Sequence, residues 1–210
     1  MKVGIIDYGA GNLRSVHKAI ESVGVSAHLV AEPGQMEGID ALVLPGQGSF
    51  GDCVRHLVDQ GLREAIREWI LADRPYFGIC LGYQVLFATS EESPGVSGLD
   101  VFPGDVVRFP VSDLKVPHMG WNEITPVDGN DPLWSGLGAH PHVYFVHSFY
   151  PRPALASDAA CRTHYGFEFV SGVRRGNIVA TQFHPEKSQD VGLRLLRNFF
   201  TSVVPAAPCV

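Results

Sequence analysis

The chain has 210 residues, 45% hydrophobic and 18% charged, which is the usual range of a globular protein with one sizeable core. Its net charge of −6 provides no positive surface for a phosphate backbone, which disfavours nucleic acid as the main partner. The opening segment M-K-V-G-I-I-D-Y-G has too few consecutive apolar residues for a secretion signal, and no apolar stretch reaches the ~18 residues of a membrane span. We therefore expect a soluble, cytoplasmic protein.

Short apolar runs alternate with helical spacing through the first half of the chain. The runs predict strands at 3–6, 28–30, 41–44 and 76–79. Helical spacing between them is carried by Leu13, Val16 and Ile20, and later by Leu62, Ala65, Ile66, Trp69 and Ile70. This order predicts an α/β fold, a doubly wound and mostly parallel sheet with helices on both faces.

The pattern changes from about Asp105 to short β-rich runs separated by turn residues. These runs predict an added antiparallel section, with strands at 106–109, 121–124, 143–146, 169–173 and 178–183. Ser188 is predicted to cap a last helix, whose inward residues are Leu193, Leu196, Phe199, Phe200 and Val203. We expect one domain over residues 1–204, followed by a Pro-containing tail at 205–210.

The segment G-I-C-L-G-Y-Q (78–84) lies between a predicted strand and an apolar run, 85–87, where we expect a helix to begin. Glycines on both sides of an apex residue are typical of the strand-turn-helix elbow that projects a nucleophile towards substrate. A helix N-terminus also favours the reactive thiolate, which makes Cys80 the candidate nucleophile. Most free cysteines are only small buried hydrophobes. We expect that role for Cys53, Cys161 and Cys209, which lack such a setting.

A thiolate nucleophile needs a proton-transferring partner, and the strand end T-Q-F-H-P-E (181–186) supplies His184. Pro185 favours an extended His184, and side chains two apart in an extended stretch point the same way. Glu186 can therefore orient the imidazole ring, as the third member of a triad does. An isolated H-P-E is more often a surface pair, so the hypothesis of a Cys-His-Glu triad depends on Cys80.

The loop P-G-Q-G-S-F (45–50) follows a predicted strand, and its glycines let backbone N–H groups turn towards a ligand. We assign Gly46 and Gln47, with the N–H of Leu81, as candidates for an oxyanion hole. The same glycines allow a peptide to flip, which gives the loop two states. A plain turn or a phosphate cradle produces the same G-x-G pattern.

Three histidines, His140, His142 and His147, have spacing that raises the question of a metal site. A zinc site needs a further ligand at suitable spacing, and the neighbouring aromatic residues are typical of strand packing. We therefore expect neither a metal nor a cofactor.

The G-I-C-L-G-x-Q elbow and the distant F-H-P-E resemble the class I, triad-type glutamine amidotransferases. Within that family, the chain is similar to the glutaminase subunits of imidazole glycerol phosphate synthase, an enzyme of histidine biosynthesis. The similarity extends from Val3 to Phe200 and is carried by the elbow, the P-G-x-G-S-F loop and the segments at 7–16, 116–122 and 144–148. Tyr83 stands where these subunits usually have Met, and Gln47 replaces a small apolar residue.

The resemblance implies a mechanism in which Cys80 attacks the side-chain amide of glutamine, His184 protonates the departing ammonia and water hydrolyses the thioester. It implies that Gln84, Glu92 and Ser148 bind the substrate. It further implies a separate (β/α)8-barrel cyclase subunit that forms a heterodimer with this chain and uses the ammonia to make imidazole glycerol phosphate and an aminoimidazole carboxamide ribotide. The residues assigned to that interface are Asn12, Trp121, Tyr144 and Lys187.

Other functions share parts of this pattern. A glutaminase subunit serving anthranilate, guanylate or pyridoxal phosphate synthesis has the triad, although V-P-H-M-G-W-N and Y-F-V-H-S-F-Y favour the histidine pathway. A stand-alone cysteine hydrolase of γ-glutamyl substrates would be active without a partner. An intact triad argues against a silent binding subunit, and the missing resolving cysteine argues against a redox sensor.

Overall fold

The computed structural model describes residues 1–9, 12–110 and 114–204, so the predicted tail at 205–210 lies outside the described residues. The strands are β1 (Lys2–Ile6), β2 (Ser26–Val30), β3 (Ala41–Leu44), β4 (Tyr76–Ile79), β5 (Thr89–Ser90), β6 (Gly104–Arg108), β7 (His118–Glu123), β8 (Thr125–Pro126), β9 (His142–His147), β10 (Phe149–Pro153), β11 (Ala159–Tyr165), β12 (Phe167–Arg175) and β13 (Ile178–Thr181). The α-helices are α1 (Leu13–Ser22), α2 (Phe50–Asp59), α3 (Leu62–Leu71), α4 (Leu81–Gln84) and α5 (Gln189–Asn198). Shorter helical turns lie at Pro33–Met36, Pro132–Trp134, Ala156–Asp158, Pro185–Lys187 and Phe199–Val203. Within these residues, no helix has the length and apolarity to cross a lipid bilayer.

An eight-stranded sheet forms the centre of the fold, in the order β2-β1-β3-β4-β13-β12-β11-β8. The first five of these strands are parallel, and β12, β11 and β8 continue the sheet in antiparallel pairing. The predicted α/β class is confirmed. The assignment of 178–183 to the antiparallel section holds on one side of the strand only, because β13 pairs antiparallel with β12 and parallel with β4. Every residue of β13 is buried, as expected of a parallel strand covered on both faces.

Alternating side chains of the parallel strands divide the core into two layers. One layer contains Val3, Ile5 and Val43 and is covered by the inward faces of α1 and α5. The opposite layer contains Ile6 and Leu44 and is covered by α2 and α3. The period of two in each strand therefore fixes which helices cover which face.

Two smaller sheets lie beside the central one. Strands β10, β6 and β5 form the first, in which β5 and β6 are parallel. Strands β7 and β9 form the second, with Trp121 opposite Tyr144 and His118 opposite His147. The backbone N–H of His184 donates to the carbonyl oxygen of Tyr144 at 2.9 Å, which ties this pair of strands to the end of β13.

Two local predictions around the helices are wrong. The helix after the elbow is α4, which begins at Leu81 and ends before the run 85–87. No helix begins in that run, because the carbonyl oxygens of Val85 and Leu86 accept from the N–H groups of Leu99 and Val101, at 2.7 and 2.9 Å, instead of from residues four further along.

The last helix begins after Ser188 as predicted, yet the Ser188 side chain does not cap it. The Ser188 hydroxyl donates to the carbonyl oxygen of His184 at 2.6 Å. Leu193, predicted to face inward, is only partly buried, whereas Leu195 is fully buried.

The close packing of the elbow generates a stability prediction. A Cβ on Gly82 would lie 1.9 Å from the carbonyl oxygen of Leu44. Gly82→Ala should therefore lower the free energy of unfolding by about 3 kcal/mol, since the contact is with backbone that cannot move away cheaply. Urea unfolding measures the loss. Gly129→Ala is the matched control, because its Cβ would meet nothing within 4 Å. Equal unfolding free energies for the two variants would contradict the prediction.

Candidate active site

Cys80 occupies the junction of β4 and α4 in a strained backbone conformation. Its φ is +54° and its ψ is −99°, in a region that residues with a Cβ rarely adopt. Gly78 and Gly82 make the bend possible, since a Cβ on Gly78 would lie 2.4 Å from the carbonyl oxygen of Gly82. The sequence predicted that a helix macrodipole would favour the thiolate. Because α4 is a single turn, its macrodipole is small, and what the turn provides is its unpaired N–H groups.

His184 and Glu186 form a buried pair. The distance from His184 Nδ1 to Glu186 Oε1 is 2.8 Å, and each side chain is only 2% exposed. His184 is extended as predicted, but the extended stretch does not continue to Glu186, because the Pro185–Lys187 segment that brings the two side chains together is a 3₁₀ turn. Because Nδ1 donates its hydrogen bond to Glu186, the other ring nitrogen, Nε2, is left to interact with the nucleophile. Nε2 has no hydrogen-bond partner among the described residues.

The charge state of His184 depends on two opposing effects. Burial alone lowers the pKa of an imidazole, but the negative charge of Cys80 and the Glu186 carboxylate together outweigh it and raise the pKa of His184 to about 10. A hydrogen bond between the ring and the sulfur would add to this increase, but Nε2 makes none of ordinary geometry, so we attribute the coupling with Cys80 to charge attraction. His184 is therefore a proton donor at neutral pH when Cys80 is a thiolate.

The loop between β3 and α2 contains the predicted oxyanion residues. Gly46 packs so closely on Leu81 that a Cβ there would lie 2.1 Å from the Leu81 Cβ. The Gln47 N–H donates to the Tyr8 hydroxyl oxygen at 3.3 Å and is therefore occupied. Tyr8 is buried, and burial raises its pKa, so its hydroxyl stays neutral. Of the predicted donors, Leu81 supplies a first-turn N–H next to the nucleophile, whereas that of Gln47 is turned towards Tyr8.

The predicted substrate residues converge on one cleft of about 470 Å³. Gln84, Glu92 and Ser148 line it together with Cys80 and His184. The Glu92 carboxylate is held by the first N–H of α2, because Phe50 N donates to Glu92 Oε2 at 2.7 Å. A fixed carboxylate at the cleft wall suits a ligand with an ammonium group.

Three of the four predicted interface residues lie together near the cleft. Trp121 is 48% exposed and meets Tyr144 edge to face, with ring centroids 6.2 Å apart. The Lys187 ammonium lies 5.9 Å from the centroid of the Tyr144 ring, and both residues line the cleft. Asn12 does not line the cleft; its side chain accepts from Ser15 N at 3.4 Å and caps α1.

The histidines considered as metal ligands do not converge. His140 and His142 are exposed, and His140 pairs with Glu123 at 2.8 Å. His147 is buried and bonds to His118 instead, with 3.0 Å between His118 Nδ1 and His147 Nε2. Burial lowers the pKa of His118 to about 4 and that of His147 to about 3, so both rings are neutral. In the part of the chain that the structure describes, no three His, Cys, Asp or Glu side chains are placed to hold a metal ion.

Two buried polar residues received no role from the sequence. His118 lies within V-P-H-M-G-W-N, and Gln182 lies two residues before His184; only the fold shows that His118 bonds to His147 and that Gln182 reaches Cys80. The other described cysteines, Cys53 and Cys161, are buried. Burial raises the pKa of Cys53 and of Cys161 to about 12, so both remain thiols at neutral pH, and Cys209 lies outside the described residues.

The chain belongs to the glutamine amidotransferase class-I family, whose model matches residues 4–203. It is similar, at 50% identity over 201 residues, to the imidazole glycerol phosphate synthase subunit HisH of Syntrophotalea carbinolica, with 93% of this chain and 97% of that protein covered. The corresponding subunit of Rhodopirellula baltica is 46% identical and covers 98% of this chain and 100% of its own length.

Solved structures support the same fold. A crystal structure of a glutamine amidotransferase has a TM-score of 0.76 at 24% identity, covering 94% of this chain and 96% of that one. The crystal structure of a glutamine amidotransferase from Thermotoga maritima has a TM-score of 0.69 at 17% identity, covering 98% of this chain and 99% of that one. At these identities the likeness shows the fold alone.

The charge coupling in the site predicts a shift that can be measured. Cys80→Ala removes the negative charge that raises the pKa of His184, so burial should then lower that pKa by at least about one unit. The sign follows from the raised value: the imidazolium persists in the wild type until the pH passes about 10, and the variant should lose it at lower pH. NMR titration of the His184 ring measures both. Cys161→Ala, which removes another buried thiol, should leave the titration unchanged, and a wild-type midpoint in Cys80→Ala would contradict the coupling.

Proposed function

We propose that this chain is the glutaminase subunit of an imidazole glycerol phosphate synthase, which hydrolyses glutamine to glutamate and ammonia and passes the ammonia to a (β/α)8-barrel cyclase subunit. The observation that carries the chemistry is the buried His184–Glu186 pair beside Cys80, at a strained elbow that opens into the cleft. The choice of synthase is supported by the two HisH subunits that are 50% and 46% identical to this chain.

The reaction begins when the Cys80 thiolate attacks the side-chain carbonyl carbon of glutamine. The carbon–nitrogen bond then breaks as His184 gives its proton to the leaving nitrogen, which departs as ammonia. Water attacks the resulting thioester while His184 accepts the proton, and the bond to sulfur breaks to release glutamate. Glu186 holds the ring through Nδ1, so that Nε2 carries out both proton transfers.

Substrate recognition uses charges and dipoles at the cleft wall. Glu92 pairs with the α-ammonium of glutamine, and Gln84 and Ser148 hold the rest of the head group. The oxyanion is stabilised by the Leu81 N–H and by a peptide of the Gly46–Gly48 loop. In the resting arrangement, Tyr8 occupies the Gln47 N–H, so the loop must rearrange before it can donate to the oxyanion.

The partner subunit docks where Trp121, Tyr144 and Lys187 surround the mouth of the cleft, in a heterodimer. Tyr144 is suited to transmit docking, because its carbonyl oxygen accepts from His184 N and its ring lies near the Lys187 ammonium. Docking then favours the loop state in which a backbone N–H faces the oxyanion. The isolated subunit is accordingly almost inactive, which prevents the waste of glutamine.

The roles of the triad predict graded losses of glutaminase activity in the assembled complex. Cys80→Ser should lower kcat by at least about a thousandfold, because a hydroxyl is not ionised at neutral pH. Glu186→Gln should cost about tenfold less than His184→Ala, since the carboxylate orients the base that transfers the proton. Glutamate release measures each loss, and added ammonium salts should restore the cyclase reaction in all three variants. Equal losses for Glu186→Gln and His184→Ala would refute this division of roles.

The docking surface predicts partner-dependent activity. Glutaminase activity of the purified chain should rise at least about tenfold on addition of the cyclase subunit with its nucleotide ligand bound, and Lys187→Ala should reduce that rise more than it raises the KM for glutamine. Lys2→Ala is a matched control, because Lys2 begins β1 at the amino end of the parallel strands, away from the cleft. Full activity in the lone subunit, unchanged by the cyclase, would overturn the proposed coupling.

A further inference from the structure

Gln182 touches the nucleophile in a way that the triad chemistry does not use. It follows the last residue of β13 and is fully buried, and its side-chain Nε2 lies 3.5 Å from Cys80 Sγ. An amide can present either its N–H group or its carbonyl oxygen to a neighbour. The orientation decides whether it stabilises a thiolate or repels it.

The neighbours of Gln182 fix that orientation. Gln84 Nε2 donates to Gln182 Oε1 at 3.2 Å and to the carbonyl oxygen of Phe149 at 3.1 Å. Rotating the Gln182 amide by 180° would place two N–H₂ groups against each other, and rotating Gln84 would place its oxygen against that of Phe149. Both alternatives leave buried groups unpaired, so the Gln182 N–H faces the sulfur.

A chain of neutral histidines holds the other end of this network. The Phe149 carbonyl oxygen also accepts from His147 Nδ1 at 2.8 Å, so His147 Nε2 must accept from His118 Nδ1. Asn122 Nδ2 donates to the remaining nitrogen of His118 at 3.2 Å. Because burial keeps both rings neutral, each donor and acceptor in the chain has one role over the physiological pH range. Two runs of donors therefore meet at the Phe149 carbonyl oxygen, one from Asn122 through the two histidines and the other from Gln84.

We propose that Gln182 is a further catalytic residue, whose side-chain amide donates a hydrogen bond to the Cys80 thiolate and is kept in that orientation by Gln84, which the Phe149 carbonyl oxygen fixes in turn. A thiolate accepts more strongly than the neutral sulfur of a thioester. The bond therefore favours the thiolate before attack and again when hydrolysis expels it. The inference depends on the proposed function only in taking Cys80 as the nucleophile.

The test is the pH dependence of Cys80 alkylation by iodoacetamide in the full-length chain. Gln182→Met keeps the size and removes the donor, so the midpoint of the alkylation profile should rise by about one unit. A more basic thiolate is also more nucleophilic, with a coefficient of ~0.4–0.5 per unit. The variant should accordingly react about threefold more slowly below both midpoints and about threefold faster above them. This crossing of the two profiles is not expected of a merely structural defect.

Thr163→Val is the matched control. Thr163 is a buried residue of β11 whose hydroxyl donates to that of Ser171, so the variant loses a buried hydrogen bond that involves neither Cys80 nor the Gln182 side chain. Its profile should coincide with that of the wild type. Coincident profiles for Gln182→Met and the wild type would overturn the proposal. Alkylation requires neither glutamine nor the cyclase, so this result stands apart from any failure of the glutaminase assay.

A second measurement covers the case in which Gln182→Met does not fold. In the ¹⁵N-labelled wild-type chain, the side-chain N–H resonances of Gln182 should shift with the same midpoint as Cys80 alkylation, because the acceptor changes from thiol to thiolate. In Cys80→Ala they should be independent of pH over that range. Resonances that do not respond to the titration of Cys80 would refute the hydrogen bond.

Discussion

The site depends on a steric constraint at the end of β4. Cys80 keeps a positive φ because the glycines at 78 and 82 have no Cβ, and because α4 is pressed against β3 at the contact of Gly82 with Leu44. Such a backbone is stable only where its surroundings leave no alternative. The same packing places Gly46 against Leu81, so the nucleophile and the loop before α2 form one packed unit. Relaxing the elbow would therefore displace the sulfur and the candidate oxyanion donors together.

Electrostatics builds on this rigid base. Water is largely excluded from Cys80, His184 and Glu186, so burial penalises every charge there unless a partner compensates. His184 shows the balance, since burial lowers its pKa and its two neighbours more than reverse the effect. The hydrogen bonds of His118 and His147 within the described residues are to neutral groups, and burial keeps both rings neutral. Histidine thus serves as a proton donor at position 184 and as a fixed, neutral dipole at positions 118 and 147.

Sequence reasoning identified the features that depend on local pattern. Apolar runs located the parallel strands, and the glycines around Cys80 predicted the elbow, because both constraints act within a few residues. It missed features that depend on distant partners. The run after α4 does not begin a helix because N–H groups from Leu99 and Val101 take its carbonyl oxygens, and the turn after His184 is 3₁₀ rather than extended. His118 and Gln182 acquire their roles from residues far away in the chain, which no local spacing can reveal.

The register of β13 against β4 connects these observations. Thr181 lies opposite Ile79, and its carbonyl oxygen accepts from the N–H of Cys80 at 2.8 Å. The next residue, Gln182, is therefore level with the nucleophile and reaches its sulfur, and the chain then turns to bring His184 towards the same atom. A slip of one residue would send Gln182 to the opposite face and remove both contacts. Parallel pairing of β13 thus does more than complete the sheet, since it aligns a donor and an acid on one sulfur from a segment about a hundred residues away.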